Sequence, residues 1–413
     1  MSSFEKFQRT LVVLLIALGT FSAGYYFGKR GFDVEVVKNP PAVNFVNRYP
    51  PDQNIDFGLF WEVYKIVSSS YLERPVNAQK LVYGAIKGMV ASLDDPYTSF
   101  LPPQDNESIN NALNGKYEGI GAELGLVDGQ LIIVAPLDGS PAKASGIRSG
   151  DKIYAIDGTS TVGVTLVEAV SKIRGPANTT VVLKIGRDDV EQPIDMSITR
   201  GEITIDSVSW EDKGDGVAYI RISRFGGETN NEWDKVVSEI NVKMQNLNGI
   251  VVDVRGNPGG YLLSAVHISG EFFRDKPVLF EEDALKNQIP RTTTRVGAFE
   301  GVPVYVLIDG GSASASEILS AALKHNINAV LVGQKSFGKG TIQDAKDFED
   351  GSGIHITIAK WLTPAKEWVH KVGIDPDVVV EITKEDIENK NDTQLNKALD
   401  FAQGREVFTK KND

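Results

Sequence analysis

The chain has 413 residues, 41% of them hydrophobic, enough for two or three domains with cores of their own. Its formal net charge of −12 argues against nucleic acid as a main partner. It has no Cys, which excludes disulfides, thiol nucleophiles and Cys-type zinc sites. Its four His (His267, His325, His355 and His370) stand at no helical metal-ligand spacing, so an H-E-x-x-H zinc protease is excluded and no metal or cofactor is expected.

From Thr10 to Gly28 no residue is charged, and "LVVLLIALG" is strongly apolar. As a helix this stretch rises about 28 Å, enough to span a bilayer. A cleaved signal peptide has similar regions, but no clean A-x-A site follows the apolar core, which favours a retained anchor over residues 1–30. Lys6 and Arg9 precede it and Lys29 and Arg30 follow, so basic flanks do not settle its orientation.

Residues 31–54 hold "NPPAV" and "RYPPDQN", whose Pro pairs read as an extended linker. Over 55–114, "FGLFWEVYKIVSSSYL" and "AQKLVYGAIKGMVASL" carry apolar residues at helical spacing, and "DDPYTSFLPP" closes this small helical element with turn residues. Residues 115–200 form a compact β-rich module: "LIIVAPL", "KIYAIDG" and "TVVLKIGR" alternate with Gly and Asp turns around one helical segment, "TLVEAVSKIRG". Over 201–384 strands ("GVAYIRISRF", "GIVVDV", "VPVYVLID", "AVLVG", "GIHITIAKWLT") alternate with helices ("ETNNEWDKVVSEINVKMQ", "YLLSAVHISGEFF", "SEILSAALKHN"), the pattern of an α/β core. The tail over 385–413 carries one more helix, "TQLNKALDFAQ".

Within the α/β core, "VPVYVLID" leads into "GGSASASE", three serines at alternate positions before a helix. Ser314 precedes Glu317 by three residues, a capping-box spacing, so it reads as a simple helix cap. The same place suits a nucleophile, because free amides at a helix N-terminus point at an oxyanion forming beside the hydroxyl. A nucleophilic Ser needs a base. His325 lies eleven residues on along the same helix, roughly 16 Å away, out of reach. Lys339, in "SFGKGTIQ", has Gly on both sides and no local carboxylate; it reads either as a surface Lys in a turn or as a desolvated one of lowered pKa. "GQKSFGKG" imitates a P-loop, but Gly340 stands where Ser or Thr is required.

In this order "GAIKGMVASLDDPYTSFLPP", "YEGIGAELG", "GSPAKASGIRSGDKIYAIDG", "DVRGNPGG", "GSASASEI" and "VGQKSFGKGTIQ" resemble the carboxyl-terminal processing proteases, or tail-specific proteases, from about residue 57 to 400. The resemblance implies a Clp protease/crotonase-like α/β core and an inserted PDZ domain, which follow the N-terminal transmembrane helix and the small helical N-terminal element read above. It implies a Ser–Lys dyad: Ser314 as nucleophile, Lys339 as general base and Gln343 orienting the lysine. The oxyanion hole falls on the amides of Ala315 and Gly260. Ser312 and Ser316 are left as turn and first-turn residues. Tyr117, Gly119, Ile120 and Gly121 fall on the carboxylate-binding loop and strand of the PDZ domain, whose edge takes a peptide terminus. Expected partners are protein substrates with exposed C-terminal tails, a regulatory or adaptor protein, and the membrane through the N-terminal helix; the catalytic region is expected outside the bacterial cytoplasm. The other reading is a catalytically silent PDZ adaptor. It requires a broken dyad, whereas Ser314, Lys339 and Gln343 are all present.

Overall fold

The computed structural model describes residues 3–29, 32–38, 41–47, 57–127, 129–137, 139–148, 150–164, 166–187, 190, 192–383, 385–386, 389 and 391–408. The chain divides into two compact units, Met1–Val82 and Tyr83–Asp413. In the first, α1 (Ser3–Lys29) contains Phe7–Tyr26, long and apolar enough to cross a membrane. β1 (Phe32–Lys38) and β2 (Pro41–Asn47) pair antiparallel, Phe32 opposite Asn47. This corrects the expected extended linker: both stretches are rich in Val and Phe, residues that favour a pleated strand. The second Pro pair of that linker lies outside the described residues. α2 (Gly58–Ser70) follows, and the division falls within α3 (Ala78–Ala91).

The second unit opens with β3 (Ser99–Leu101) and α4 (Pro103–Leu113), whose proline at the first helical position spares an amide that would have no partner. Next comes the β-rich module. Its elements are β4 (Lys116–Gly119), β5 (Ala122–Val127), β6 (Gln130–Pro136), α5 (Pro141–Ala144), β7 (Lys152–Ile156), β8 (Thr159–Ser160), α6 (Leu166–Ile173), β9 (Thr180–Gly186), β10 (Ile194–Thr199) and β11 (Gly201–Thr204). The main sheet runs β10-β9-β7-β6-β5 with β8 on β7, and β11 pairs with β4 as a separate ribbon. Among the described residues β5 pairs only with β6, so its outer edge is open. Leu131, Ile133, Ile153, Val181, Leu183, Ile185 and Ile198 form the module's core.

The α/β core begins with β12 (Val208–Asp212), β13 (Val217–Ile222), α7 (Thr229–Lys243), β14 (Gly249–Asp253) and α8 (Leu262–Ser269). It continues through β15 (Lys276–Glu282), β16 (Gln288–Thr293), β17 (Val304–Ile308), α9 (Ala315–Ile327), β18 (Val330–Gly333), β19 (Thr341–Asp347), β20 (Gly353–Leu362), β21 (Val378–Val379) and α10 (Thr393–Ala402). One sheet runs β12-β13-β14-β17-β18-β21, parallel except for β12. The other runs β16-β15-β20-β19, with β3 on β20. All five residues of β14 are buried, as a strand covered on both faces requires. Ile250 and Val252 pack with α7, α8 and α9, while Val251 faces α10 beside Leu307 and Val332. That is the two-residue alternation of a strand shared between two layers.

α10 is tied down by one cation. Arg255 donates to both oxygens of the buried Asp253, to both oxygens of Asp392, which caps α10, and to the Gln394 side chain. Truncating it leaves a buried carboxylate short of a partner. Arg255→Met should therefore lower the unfolding free energy by roughly 3 kcal/mol and open the chain near α10 to limited proteolysis, measured by denaturant titration and digestion mapping.

Candidate active site

β14 and β17 are adjacent and parallel, with Asp253 beside Leu307, so the loops that follow them meet at the carboxyl edge of the sheet. Open α/β sheets hold ligands there. Asn257 stitches the loops together: its Nδ2 donates to Ile222 O and its Oδ1 accepts from Gly259 N. Its own carbonyl accepts from Ala313 N and from Ser316 Oγ at 2.9 Å. Ser312 Oγ donates to Val254 O at 2.8 Å and accepts from Asp309 N. Ser312 and Ser316 are thus fully buried fasteners between the two loops.

Ser314 differs. It is half-exposed and its backbone takes φ 54° and ψ −114°, a region costing a non-glycine residue about 1–3 kcal/mol. A strained strand-to-helix turn of this kind lifts a side chain out of the chain's path. Its N–H donates to Glu317 Oε2 at 2.8 Å, and its carbonyl accepts from Ile318 N. Gly259 packs directly beneath it: a Cβ there would lie 2.8 Å from Ser314 Cβ and 2.7 Å from Ala313 O. Gly260, at φ 136°, lies against Phe225, where a Cβ would be 2.0 Å from the carbonyl oxygen. The amides of Gly260 and Ala315 meet no acceptor among the described residues.

Lys339 reaches the same place on a different chain segment. The fully buried Glu317 carboxylate holds that segment, taking Ser336 Oγ (2.6 Å) and Gly338 N (2.7 Å) on one oxygen and Lys339 N (2.9 Å) on the other. One carboxylate therefore binds the backbone of both Ser314 and Lys339. Lys339 is half-buried; burial pushes its ammonium below the ordinary lysine value, against the opposing pull of Asp95 and Glu317. Burial, then the charge of Lys339, also holds His355 down, which keeps its imidazole neutral.

Ser314, Lys339, Gln343, Gly260 and His355 line one cavity of about 340 Å³, with Ile109 and Leu113 of α4 opposite. Gln343 departs from expectation. No hydrogen bond joins it to Lys339 among the described residues; its amide donates to Thr341 Oγ1 and Thr357 Oγ1. A bulge between Ile342 and Gln343 in the β19–β20 pairing turns it into this register. Nor does any hydrogen bond link Ser314 to Lys339 Nζ among the described residues; the ammonium lies 5.0 Å from the centre of the Tyr97 ring. Sequence reasoning found the S-x-x-E spacing but gave Glu317 no part beyond capping, and it passed over Asn257, Gly259 and Tyr97. The capping box and the quoted "DDPYTSF" were the available signals.

In the β-rich module, Tyr117, Gly119, Ile120 and Gly121 line a groove of about 310 Å³ together with α6 residues Val170 and Ile173. The Ile120 and Gly121 amides meet no acceptor among the described residues, and the Arg174 guanidinium lies 4.8 Å over the Tyr117 ring. The groove lies between α6 and the open edge of β5, and Ala122 and Leu124 of β5 also line it.

The Glu317 carboxylate offers a test of this framework. Gln at 317 turns a donor group toward donors and forfeits about two of the four bonds, each worth about 1.5–3 kcal/mol to a charged acceptor. Glu317→Gln should lower the unfolding free energy by roughly 3–5 kcal/mol, whereas Ser316→Ala, whose acceptor keeps the Ala313 amide, should cost about 1 kcal/mol. Chemical denaturation of both variants decides.

Residues 216–380 match the model of peptidase family S41, 109–186 that of the PDZ domain, and 19–105 that of the N-terminal domain of the activating protease CtpB. The chain is 39% identical over 368 residues to carboxy-terminal processing protease CtpB of Bacillus subtilis (strain 168), covering 84% of this chain and 75% of that one. It is 35% identical over 368 residues to the carboxyl-terminal-processing protease of Synechocystis sp. (strain ATCC 27184 / PCC 6803 / Kazusa), covering 87% and 84%. A solved S41 protease chain from Bacteroides fragilis shares the fold at TM-score 0.58, with 17% identity over 87% of this chain and 100% of that one. The chain carries a PDZ domain and belongs to the carboxy-terminal processing serine proteases of peptidase family S41.

Proposed function

We propose that the chain cleaves protein substrates by a Ser314–Lys339 dyad through an acyl-enzyme, after capturing their C-terminal tails in the PDZ groove. The observation that carries this reading is the shared Glu317 carboxylate, which fixes the backbones of both residues at one cavity. Neutral Lys339 takes the Ser314 hydroxyl proton as the oxygen attacks the scissile carbonyl. The unpaired Gly260 and Ala315 amides receive the oxyanion, and the new lysine ammonium protonates the leaving amine. Water, activated by the same lysine, then hydrolyses the ester. Gln343, on the same cavity wall, becomes the lysine's orienting partner once its side chain leaves Thr341 and Thr357.

Tail capture is supported by the unpaired Ile120 and Gly121 amides, suited to a carboxylate, and by the open β5 edge, suited to an added strand. The apolar groove lining suits an apolar last side chain. The apolar helix α1 supports a membrane anchor; the family resemblance, not the helix, puts the catalytic region of this proposal on the extracytoplasmic side of a bacterial membrane.

With an unstructured protein as substrate, Ser314→Ala and Lys339→Ala should each lower kcat by more than about a thousandfold, because the two act as one unit. Lys339→Arg should not recover activity, since Arg cannot accept a proton. The rate should rise with pH as Lys339 loses its proton, with a midpoint below the ordinary lysine value. An active Lys339→Ala enzyme would overturn the dyad.

Amidating a substrate's C-terminus removes the anion that the Ile120 and Gly121 amides receive. It should raise KM by about tenfold, the equivalent of one lost charged hydrogen bond, and leave kcat unchanged. Steady-state kinetics on paired free and amidated peptides measures this.

A further inference from the structure

We infer that Tyr97 is a positioning residue for the general base: its ring face is the resting platform of the Lys339 side chain, holding the ammonium off Ser314 between turnovers. The inference rests on the Ser–Lys reading above. Lys339 Nζ lies 5.0 Å from the Tyr97 ring centre, and no hydrogen bond to it is made among the described residues. A cation in that place is attracted to the negative face of the ring.

The platform is built into the fold. Asp95 fixes the turn beneath it, accepting from Tyr97 N at 3.1 Å and Thr98 Oγ1 at 2.6 Å. Thr98 Oγ1 in turn accepts from Thr357 N of β20. β3, directly after the turn, pairs with β20, Phe100 opposite Ile354. The far side of the ring packs edge-on against His370, centroids 6.0 Å apart. Thr357 bonds on both sides: its N–H donates to Thr98 Oγ1, and its hydroxyl accepts from Gln343. One network thus holds both the ring under the lysine and the glutamine away from it.

The charged and titratable groups facing the lysine are Asp95 and Tyr97 from this turn, Glu317 from α9 and His355 from β20, with His370 behind the ring. Burial works against charge on Asp95, but its bonds to Thr357, Thr98 and the Tyr97 amide outweigh this and keep it an anion. Burial, then Asp95 and Glu317, pushes the Tyr97 phenol up, so the ring is neutral where the enzyme works. Ring face and Asp95 both favour the protonated lysine. Activation then requires the side chain to leave the ring for Ser314, shedding its proton on the way.

Full-length protein carrying phenylalanine and its mono-, di- and trifluorinated forms at position 97 provides the test. Fluorine drains charge from the ring face at nearly constant shape, so burial is kept while attraction for a cation falls. The acid-limb midpoint of kcat/KM should fall stepwise, by about half a unit to one unit across the series, and the rate well below the midpoint should rise about three- to tenfold. Tyr97→Phe should behave as wild type, and Tyr97→Leu as the trifluorinated form. A limb that stays put across the fluorinated series overturns the proposal, as does a Tyr97→Leu enzyme that melts lower with an unshifted limb. Lys339→Ala in parallel separates the two ideas: its activity would sink the dyad, while its silence beside a flat fluorinated series sinks only the platform.

Discussion

Everything in the site hangs on a negative charge that water cannot reach. Leaving the Glu317 carboxylate unsatisfied in the interior would cost several kcal/mol, so the fold surrounds it with four donors. Two of those donors are the backbone amides of Ser314 and Lys339. Both bind the same oxygen, Oε2, so the spacing between the two chain segments is set by a single acceptor atom, not by flexible side chains. The same group sits in the first turn of α9, where the helix dipole favours an anion. Capping, neutralisation and alignment are thus a single constraint. It also explains how Ser314 persists in a strained backbone conformation: bonds on both its N–H and its carbonyl over-determine it.

The sequence made the skeleton legible because local pattern and global fold agree there. β14, apolar up to its terminal Asp253, reads as a covered parallel strand, and its alternation with helices leads to the α/β core. The placement of Ser314 at a helix start is readable from S-x-x-E, and Ser312 and Ser316 stand in the turn and the first helical turn where the sequence puts them. Their burial makes them fasteners rather than spacers. Less legible was anything that depends on contacts between distant segments. Tyr97 meets Lys339 only because β3 pairs with β20, and a three-residue strand leaves little periodicity to read. The family resemblance puts Gln343 at the lysine, but a bulge, invisible in sequence, accompanies its bonds to Thr341 and Thr357 instead. Over 32–38 and 41–47 the Val- and Phe-rich runs outweigh the neighbouring prolines and pair as a hairpin, which proline pairs alone do not foretell.

Gly259 and Gly260 carry different burdens although they are neighbours. The first admits Ser314 and Ala313, the second admits Phe225, and both positions are closed to any side chain by backbone or Cβ atoms. Between them the loop that the proposed reading gives to the oxyanion is wedged from two directions, and its Gly260 amide, which meets no acceptor among the described residues, is held in place by contacts on either side. A loop immobilised in this way needs no reorganisation when charge develops, which is the basis of electrostatic preorganisation.

The groove of the PDZ domain and the cavity of the candidate active site share no lining residue, and α4 lines the second before the chain passes directly into β4 of the first. On the proposed reading this separation has a consequence for the course of digestion. Hydrolysis of a peptide bond leaves a fresh carboxylate on the upstream fragment, so every product resembles a substrate. The groove, once it releases the excised tail, can accept the shortened chain. Trimming then proceeds in successive rounds from one end, and it stops where folded structure or an ill-fitting last side chain keeps the new end out. The length of the mature product is then written in the substrate's own stability and in the residue its new end presents, rather than in a motif around the cleaved bond.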